Sequence, residues 1–311
     1  FERYVILNFS NANRMTDITI VTCKKYFHDK GGDPYVNNIF LEYQLLKDAL
    51  EARGLKVKRT YWNDPEYDWS QTKVAVIRTV WDYFENFHAF NRWMVSTAAV
   101  TNLVNPLPLQ QWNSHKFYLN DLAEKGVRIV PTAFVQKGSA TSLREISEEK
   151  GWKNMIIKPA VSAAAFHTYK ISVEDIEAKE DLFQQLLAAR DMLLQPFIST
   201  ITTKGEASLM VFNGQFTHAI LKKAKQGDFR VQDDYGGTVH DYTPSQKEIQ
   251  FAEFANAQCP VPPAYGRVDV VWDEAGNPML SEMEFLDPEI WLRNAPESAK
   301  SLAEAIAQYV S

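Results

Sequence analysis

The chain has 311 residues, 45% hydrophobic and 23% charged, with a formal net charge of −6. That balance is ordinary for a globular protein, and the length is enough for two or three packed subdomains. No Lys/Arg run stands out, which argues against a nucleic-acid binder working by phosphate neutralisation, and no apolar run approaches the ~20 residues of a membrane helix.

Cys23 and Cys259 form no metal-type spacing, so a reduced, cytoplasmic protein is expected. Phe1–Arg14 lacks the basic–apolar–small pattern of a signal peptide. Met15 and the β-rich Thr16–Thr22 look like a natural start, so residues 1–14 are expected to be an appended or upstream segment, dispensable for folding.

The first strand is predicted at Ile18–Thr22. A loop with Gly31 and Gly32 follows, then a helix over Asn37–Arg53 with Leu41, Leu45 and Ala49 at i, i+4 and i+8 and Gly54 as its stop. Strands are predicted at Leu55–Tyr61 and Val74–Thr79, the second apolar enough to be buried on both faces. A helix with Phe87, Phe90, Trp93 and Met94 on one side completes a small, mostly parallel α/β domain over residues 15–106. Ligands in such sheets sit beyond the carboxyl ends of the strands. Arg78, Trp81, Asp82 and Tyr83 follow the third strand and are candidates for substrate contact, with local packing, including an Arg78–Asp82 pair, as the alternative.

Residues 107–198 read as a second unit. Trp112–Lys116 opens a helix to Gly126, Val127–Val130 is a strand, and Val135–Gly138 closes a hairpin. Ser142 and Glu145 make a capping box. The strand Asn154–Pro159 delivers Lys158 to a loop of small residues around Ala163–Ala165, where an ammonium and backbone N–H groups could meet phosphate. A plain hairpin with a surface lysine is the alternative.

Residues 199–311 form the third unit. Ser208–Phe212 and Gln215–Lys222 are predicted as a hairpin turned by Asn213-Gly214. Lys222, Lys223 and Lys225 precede Gly227–Gln232, which carries Arg230, and Gly236-Gly237 is expected in a flexible, polar segment. His218 reads as structural, and no Ser-His-Asp or Cys-His arrangement is present. Tyr265–Trp272 and Met279–Pro288 read as a second hairpin. Glu282 and Glu284 then share one face, with Asp269 opposite. Like charges facing each other across a sheet are unfavourable, so a cation is expected among them, and all-oxygen ligands suit Mg²⁺ or Mn²⁺. Solvated acids on an exposed hairpin are the alternative. A last helix, Pro296–Tyr309, places Leu302, Ile306 and Tyr309 in the core.

The ordered set Lys116, Ile157-Lys158-Pro159, Gln195–Ile198, Gly205-Glu206, Lys222, Arg230, Asp269 and Glu282-x-Glu284 resembles the ATP-grasp superfamily and its glutathione-synthetase-like ligases. The segments Arg78–Tyr83, Trp112–Lys116, Gly227–Gln232 and Glu282–Pro288 resemble more closely the ATP-grasp ligases of cycloserine biosynthesis. The resemblance spans nearly everything from Met15 onward. It implies a three-subdomain ATP-grasp architecture, α/β with an α+β C-terminal part. It also implies an ATP-dependent carboxylate–amine ligase using ATP and Mg²⁺, whose partners are a small carboxylate and an amine such as an amino acid or small peptide. A homodimer is one assembly it allows.

By that resemblance Lys116 and Lys158 contact ATP phosphates, Gln195, Pro196, Phe197 and Ile198 form the adenine hinge, and Glu206 binds ribose. Lys222 and Arg230 stabilise phosphate and acyl-phosphate, and Asp269, Glu282 and Glu284 hold Mg²⁺. Two departures stand out: Glu284 where such ligases often carry Asn, and Ala163–Ala165 where relatives often carry Gly. Ala does not easily adopt positive φ, so a non-catalytic nucleotide-binding or interaction protein of the same fold is the alternative function.

Overall fold

The computed structural model describes residues 14–28, 31–83, 85–162, 167–231 and 235–310. Three sheets organise it. The first contains β1 (Thr16–Thr22), β2 (Val57–Tyr61), β3 (Thr72–Ile77) and β4 (Asn102–Val104), all parallel, in the order β2-β1-β3-β4. Helices α1 (Pro34–Glu51) and α2 (Phe87–Ala98) connect them. Asp33 caps α1 by accepting from Tyr35 N, and Pro34 occupies the first turn, where its missing N–H costs nothing. The buried stripe of α1 is Val36, Ile39, Leu46 and Leu50, with Glu42 among them. Leu41, expected in the core, is 46% exposed. The predicted stripe was displaced by one position, because Leu45 and Ala49 only flank the true one.

The short helices α3 (Leu107–Asn113) and α4 (Tyr118–Glu124) lead to the second sheet. The single helix expected from Trp112 to Gly126 is broken in the middle, and Lys116 sits in the break. There its own N–H donates across to Ala160 O at 2.8 Å instead of to a helical turn. Val127–Val130 is not a strand either. It meets the last hairpin at one parallel bridge, Ile129 to Leu280.

The second sheet is antiparallel, in the order β5-β8-β6-β7. It comprises β5 (Ala133–Val135), β6 (Asn154–Pro159), β7 (Tyr169–Ser172) and β8 (Met192–Pro196), backed by α5 (Leu143–Lys150) and α6 (Ile176–Ala189). β5 pairs with β8 rather than closing a local hairpin at Gly138. The Ser142–Glu145 capping box is present, and α5 ends on Gly151 at φ 68°.

After the short helix α7 (Thr200–Thr203), the third sheet runs β11-β10-β9-β12-β13, also antiparallel. Its strands are β9 (Glu206–Phe212), β10 (Gln215–Lys223), β11 (Thr238–Asp241), β12 (Tyr265–Trp272) and β13 (Pro278–Glu284). Helix α8 (Gln246–Ala257) covers one face. Two glycines are dictated by close approach. A Cβ on Gly205 would lie 2.3 Å from Lys222 O, and one on Gly266 would lie 2.3 Å from the Phe285 ring. The last helix, α9 (Ser298–Ala307), packs on α1, so Leu302 and Ile306 share a core with Ile18, Ile20, Leu46 and Leu50.

β13 is an edge strand, and beyond the backbone bridge at Leu280 its outer polar groups are met by side chains. Asn113 donates to Met283 O and accepts from Phe285 N, both at 2.8 Å. Tyr118 Oη donates to Met283 O at 3.0 Å and accepts from Met283 N at 2.8 Å. Asn105, fully buried, donates to Tyr265 O and Phe285 O and accepts from Ala264 N. These bonds fix the hairpin against α3, α4 and the residue that follows β4.

Arg14, the last residue of the segment expected to be dispensable, contacts the first sheet. The Arg14 guanidinium donates to Thr72 O at 2.5 Å and to Val100 O at 2.9 Å, tying the segment before β1 to the first sheet. Phe1–Asn13 lie outside the described residues.

Candidate active site

A cleft of about 800 Å³ opens between the three sheets. Its floor is the β12–β13 hairpin, with Asp269 paired opposite Glu282 and Arg267 opposite Glu284. Alternation puts all four side chains on one face, as predicted for the three acids. Arg267 was missed. The signal was the same alternation, since Arg267 and Asp269 are two residues apart.

Arg267 grips Asp269 with Nε at 3.0 and 3.1 Å and Nη2 at 2.9 Å, and also pairs with Glu284. Lys222 arrives from β10, in register with Glu206 on β9. Its Nζ lies 2.5 Å from Glu206 and 3.4 Å from Asp269. Ser208 also donates to Asp269. From the other wall, Lys116 Nζ reaches Glu282 at 3.0 Å and Ser162 O at 2.7 Å. Lys158, at the end of β6, lines the same space.

The charges are tuned by burial against neighbours. Burial opposes ionisation of Asp269, but Arg267 and Lys222 outweigh it and hold that carboxyl below its ordinary range. Burial likewise opposes Glu282, and Lys116 and Lys158 overcome it. For Glu284 burial wins and lifts the carboxyl to about 7, against the pull of Arg267. Burial lowers Lys158 below the ordinary lysine range, more than Glu282 can restore.

The cations expected among the acids are therefore, in the first place, the protein's own Arg267, Lys222 and Lys116. Among the described residues no group of three His, Cys, Asp or Glu side chains is arranged to hold a metal ion. The donor chemistry of Asp269, Glu282 and Glu284 nonetheless suits a hard cation, being all carboxylate oxygen.

Gln195, Pro196, Phe197 and Ile198, at and just past the end of β8, line the cleft with Ile156, Val271 and Phe229 and form an apolar slot. Gln195 Nε2 donates to Thr132 Oγ1 at 2.9 Å, and Phe197 N donates to Asn154 O at 2.9 Å. Arg230 also lines the cleft, but its guanidinium is engaged by Asp228 at 2.7 Å and lies 3.7 Å over the Tyr235 ring. Glu206, expected at a ribose, pairs with Lys222. Ala163–Ala165 lie outside the described residues.

Of the four candidates after β3, Trp81 and Tyr83 line the cleft. Arg78 is buried with its Nη1 on Pro288 O at 2.6 Å, and Asp82 accepts from Trp62 Nε1 at 3.0 Å. Neither is among the cleft-lining residues, and they do not pair with each other. Their neighbour Asp287, also missed, accepts from Thr79 N and Val80 N and so joins the first sheet to the end of β13. His218 Nε2 donates to Ile290 O at 2.6 Å, the structural role expected of it.

The N-terminal domain family of the D-cycloserine synthetase DcsG matches residues 18–105. The cycloserine biosynthesis protein DcsG of Streptomyces lavendulae is 28% identical over 281 residues, 85% of this chain and 92% of that protein. The crystal structure of D-cycloserine synthetase DcsG superposes with a TM-score of 0.83 at 26% identity, over 94% of this chain and 99% of the other. The ATP-grasp ligase PsnB, solved with a precursor variant, Mg and ADP, superposes at 0.63 and 16% identity, over 95% of this chain and 99% of that one. The chain has the ATP-grasp fold. Its mixed architecture, one parallel sheet followed by two antiparallel ones, is that of the superfamily, and its homology is to ATP-dependent ligases. No helix among the described residues is long and apolar enough to cross a membrane.

Proposed function

We propose that this ATP-grasp protein is a carboxylate–amine ligase that forms an amide through an acyl-phosphate. The observation that carries the reading is the meeting of Lys116, Lys158, Lys222 and Arg267 with Asp269, Glu282 and Glu284 in one cleft. Such a mixed-sign clamp suits a transferring phosphoryl group.

In this reading the adenine lies in the apolar slot at the end of β8. The Phe197 amide is already bonded to Asn154 O and Pro196 has none, so the Ile198 amide is the hinge donor to the base. Lys116 and Lys158 bind the phosphate tail. Asp269, Glu282 and Glu284 would hold Mg²⁺ (or Mn²⁺), which when bound neutralises phosphate charge and brings its oxygens into place. Lys116 then exchanges its Glu282 partner for phosphate.

A substrate carboxylate oxygen attacks the γ-phosphorus, the bond to the β-phosphate oxygen breaks, and ADP leaves. Arg267 and Lys222 face the charge that develops on the phosphoryl oxygens. An amine then attacks the acyl carbon and inorganic phosphate departs, leaving the amide after loss of a proton from nitrogen. Arg230 joins the clamp once its pairing with Asp228 is released. The partners are therefore a small carboxylate and an amine.

The test is a screen of amino acids and small peptides for Mg²⁺-dependent ADP release. The ligase reading expects release stimulated by a carboxylate–amine pair. Nucleotide binding with no substrate-stimulated release across the screen would favour the binding-protein alternative.

A further inference from the structure

The far end of the same cleft is built differently from its phosphate end. It lies beyond the carboxyl ends of the parallel strands, where an open α/β sheet presents its loops. Tyr26 follows β1, Tyr35 stands in the first turn of α1, and Trp81 follows β3. The three rings form a closed group: Tyr26–Trp81 centroids are 5.9 Å apart, Tyr35–Trp81 6.0 Å and Tyr26–Tyr35 6.2 Å. All three line the cleft, together with Asp33 and Glu85. Lys25 is the cation at this end, and its Nζ already lies 4.9 Å from the Tyr26 ring centroid.

The cleft is thus polarised. Four basic side chains stand where the phosphates and the reacting carboxylate would lie. Aromatic faces with two carboxylates, Asp33 and Glu85, and the single lysine Lys25 stand at the other end. Aromatic faces attract cations, Trp most strongly, and a desolvated cleft strengthens the effect. Acids at the rim add to it.

We propose that Tyr26, Tyr35 and Trp81 form a specificity wall for a substrate whose reacting carboxylate is matched, at its other end, by a cationic group such as a guanidinium or ammonium. The proposal rests on the ligase reading for the orientation of that substrate. Three aromatic rings beside two carboxylates would reject an anionic group in the same place.

Arginine and citrulline test it directly, because they share shape and differ in charge at the tip. Each is used as the D and the L enantiomer, with lysine against norleucine as a second pair. Binding is read by calorimetry with a non-hydrolysable ATP analogue and Mg²⁺, and turnover by ADP release. The cationic member of each pair should bind on the order of 10-fold more tightly. Trp81→Leu should abolish that preference while leaving affinity for the ATP analogue unchanged, and Glu85→Gln should reduce it. Equal or reversed preference, an unaltered preference in Trp81→Leu, or no binding of any cationic member overturns the proposal. Since binding is scored without chemistry, a cationic preference without ADP release would fail the ligase reading and leave the specificity wall standing.

Discussion

Arg267 holds Asp269 through a two-point grip from two positions away on the same face of β12, and its Nη2, one of the two gripping nitrogens, also reaches across to Glu284. One planar guanidinium thereby sets the spacing of two cleft carboxylates. A lysine carries the same charge but acts as a point, without the fork.

Arg267→Lys should therefore fold and still bind ATP, while turnover falls by about 10- to 100-fold, since one oriented donor in such a clamp is worth this much or more. Steady-state kinetics with a nucleotide titration separates the two effects. Wild-type turnover in this variant would remove Arg267 from the chemistry. Arg267→Ala is the less informative choice. Leaving buried Asp269 and Glu284 without their cation should destabilise the fold by about 3–5 kcal/mol.

Asp287 gives a pH-dependent prediction. Burial raises its carboxyl from 3.8 to about 6, against the two backbone amides it accepts from. The folded state therefore binds the proton more tightly than the unfolded chain. Its contribution to stability is fully present below about pH 4 and is lost as pH rises to about 6. Asn at this position does not titrate. The stability gap between wild type and Asp287→Asn should narrow by about 2 kcal/mol between pH 4 and pH 7. Urea denaturation at several pH values measures it, and a gap independent of pH contradicts the assignment.

Arg14 should matter although the residues before it lie outside the described chain. A chain beginning at residue 14 keeps the guanidinium bonds to Thr72 O and Val100 O, whereas one beginning at Met15 loses both. Charged hydrogen bonds of this kind contribute about 1.5–3 kcal/mol each at most, less where solvent competes. The longer chain should show the higher denaturation midpoint, and identical midpoints would mean the contact is idle.

The hairpin at the centre of the cleft was legible because period-two alternation is local: Asp269, Glu282 and Glu284 declare their shared face in a short stretch. The β9–β10 turn at Asn213-Gly214 was legible for the same reason. What supports them was not. Asn105 and Asn113 bond to backbone 159 to 180 positions away, and nothing local marks an asparagine for that task. The break between α3 and α4 is set by Lys116 N reaching Ala160 O, a tertiary bond that overrides a helical pattern. Arg78 looked like a substrate clamp from its place after a buried strand. Its guanidinium goes instead to Pro288 O, a residue brought there by the fold of the whole chain.

The central claim concerns which bond of ATP is broken. Attack on the γ-phosphorus yields ADP and phosphate, whereas attack on the α-phosphorus yields AMP and pyrophosphate. Lys116, Lys158, Lys222 and Arg267 surround the carboxylates at one end of the cleft, where the end of a phosphate chain would lie. Phosphorus-31 NMR of a complete reaction, with a carboxylate and amine pair that turns over, reads the products directly. The account predicts ADP and inorganic phosphate in equal amounts, one of each per amide formed. Stoichiometric AMP and pyrophosphate would contradict it.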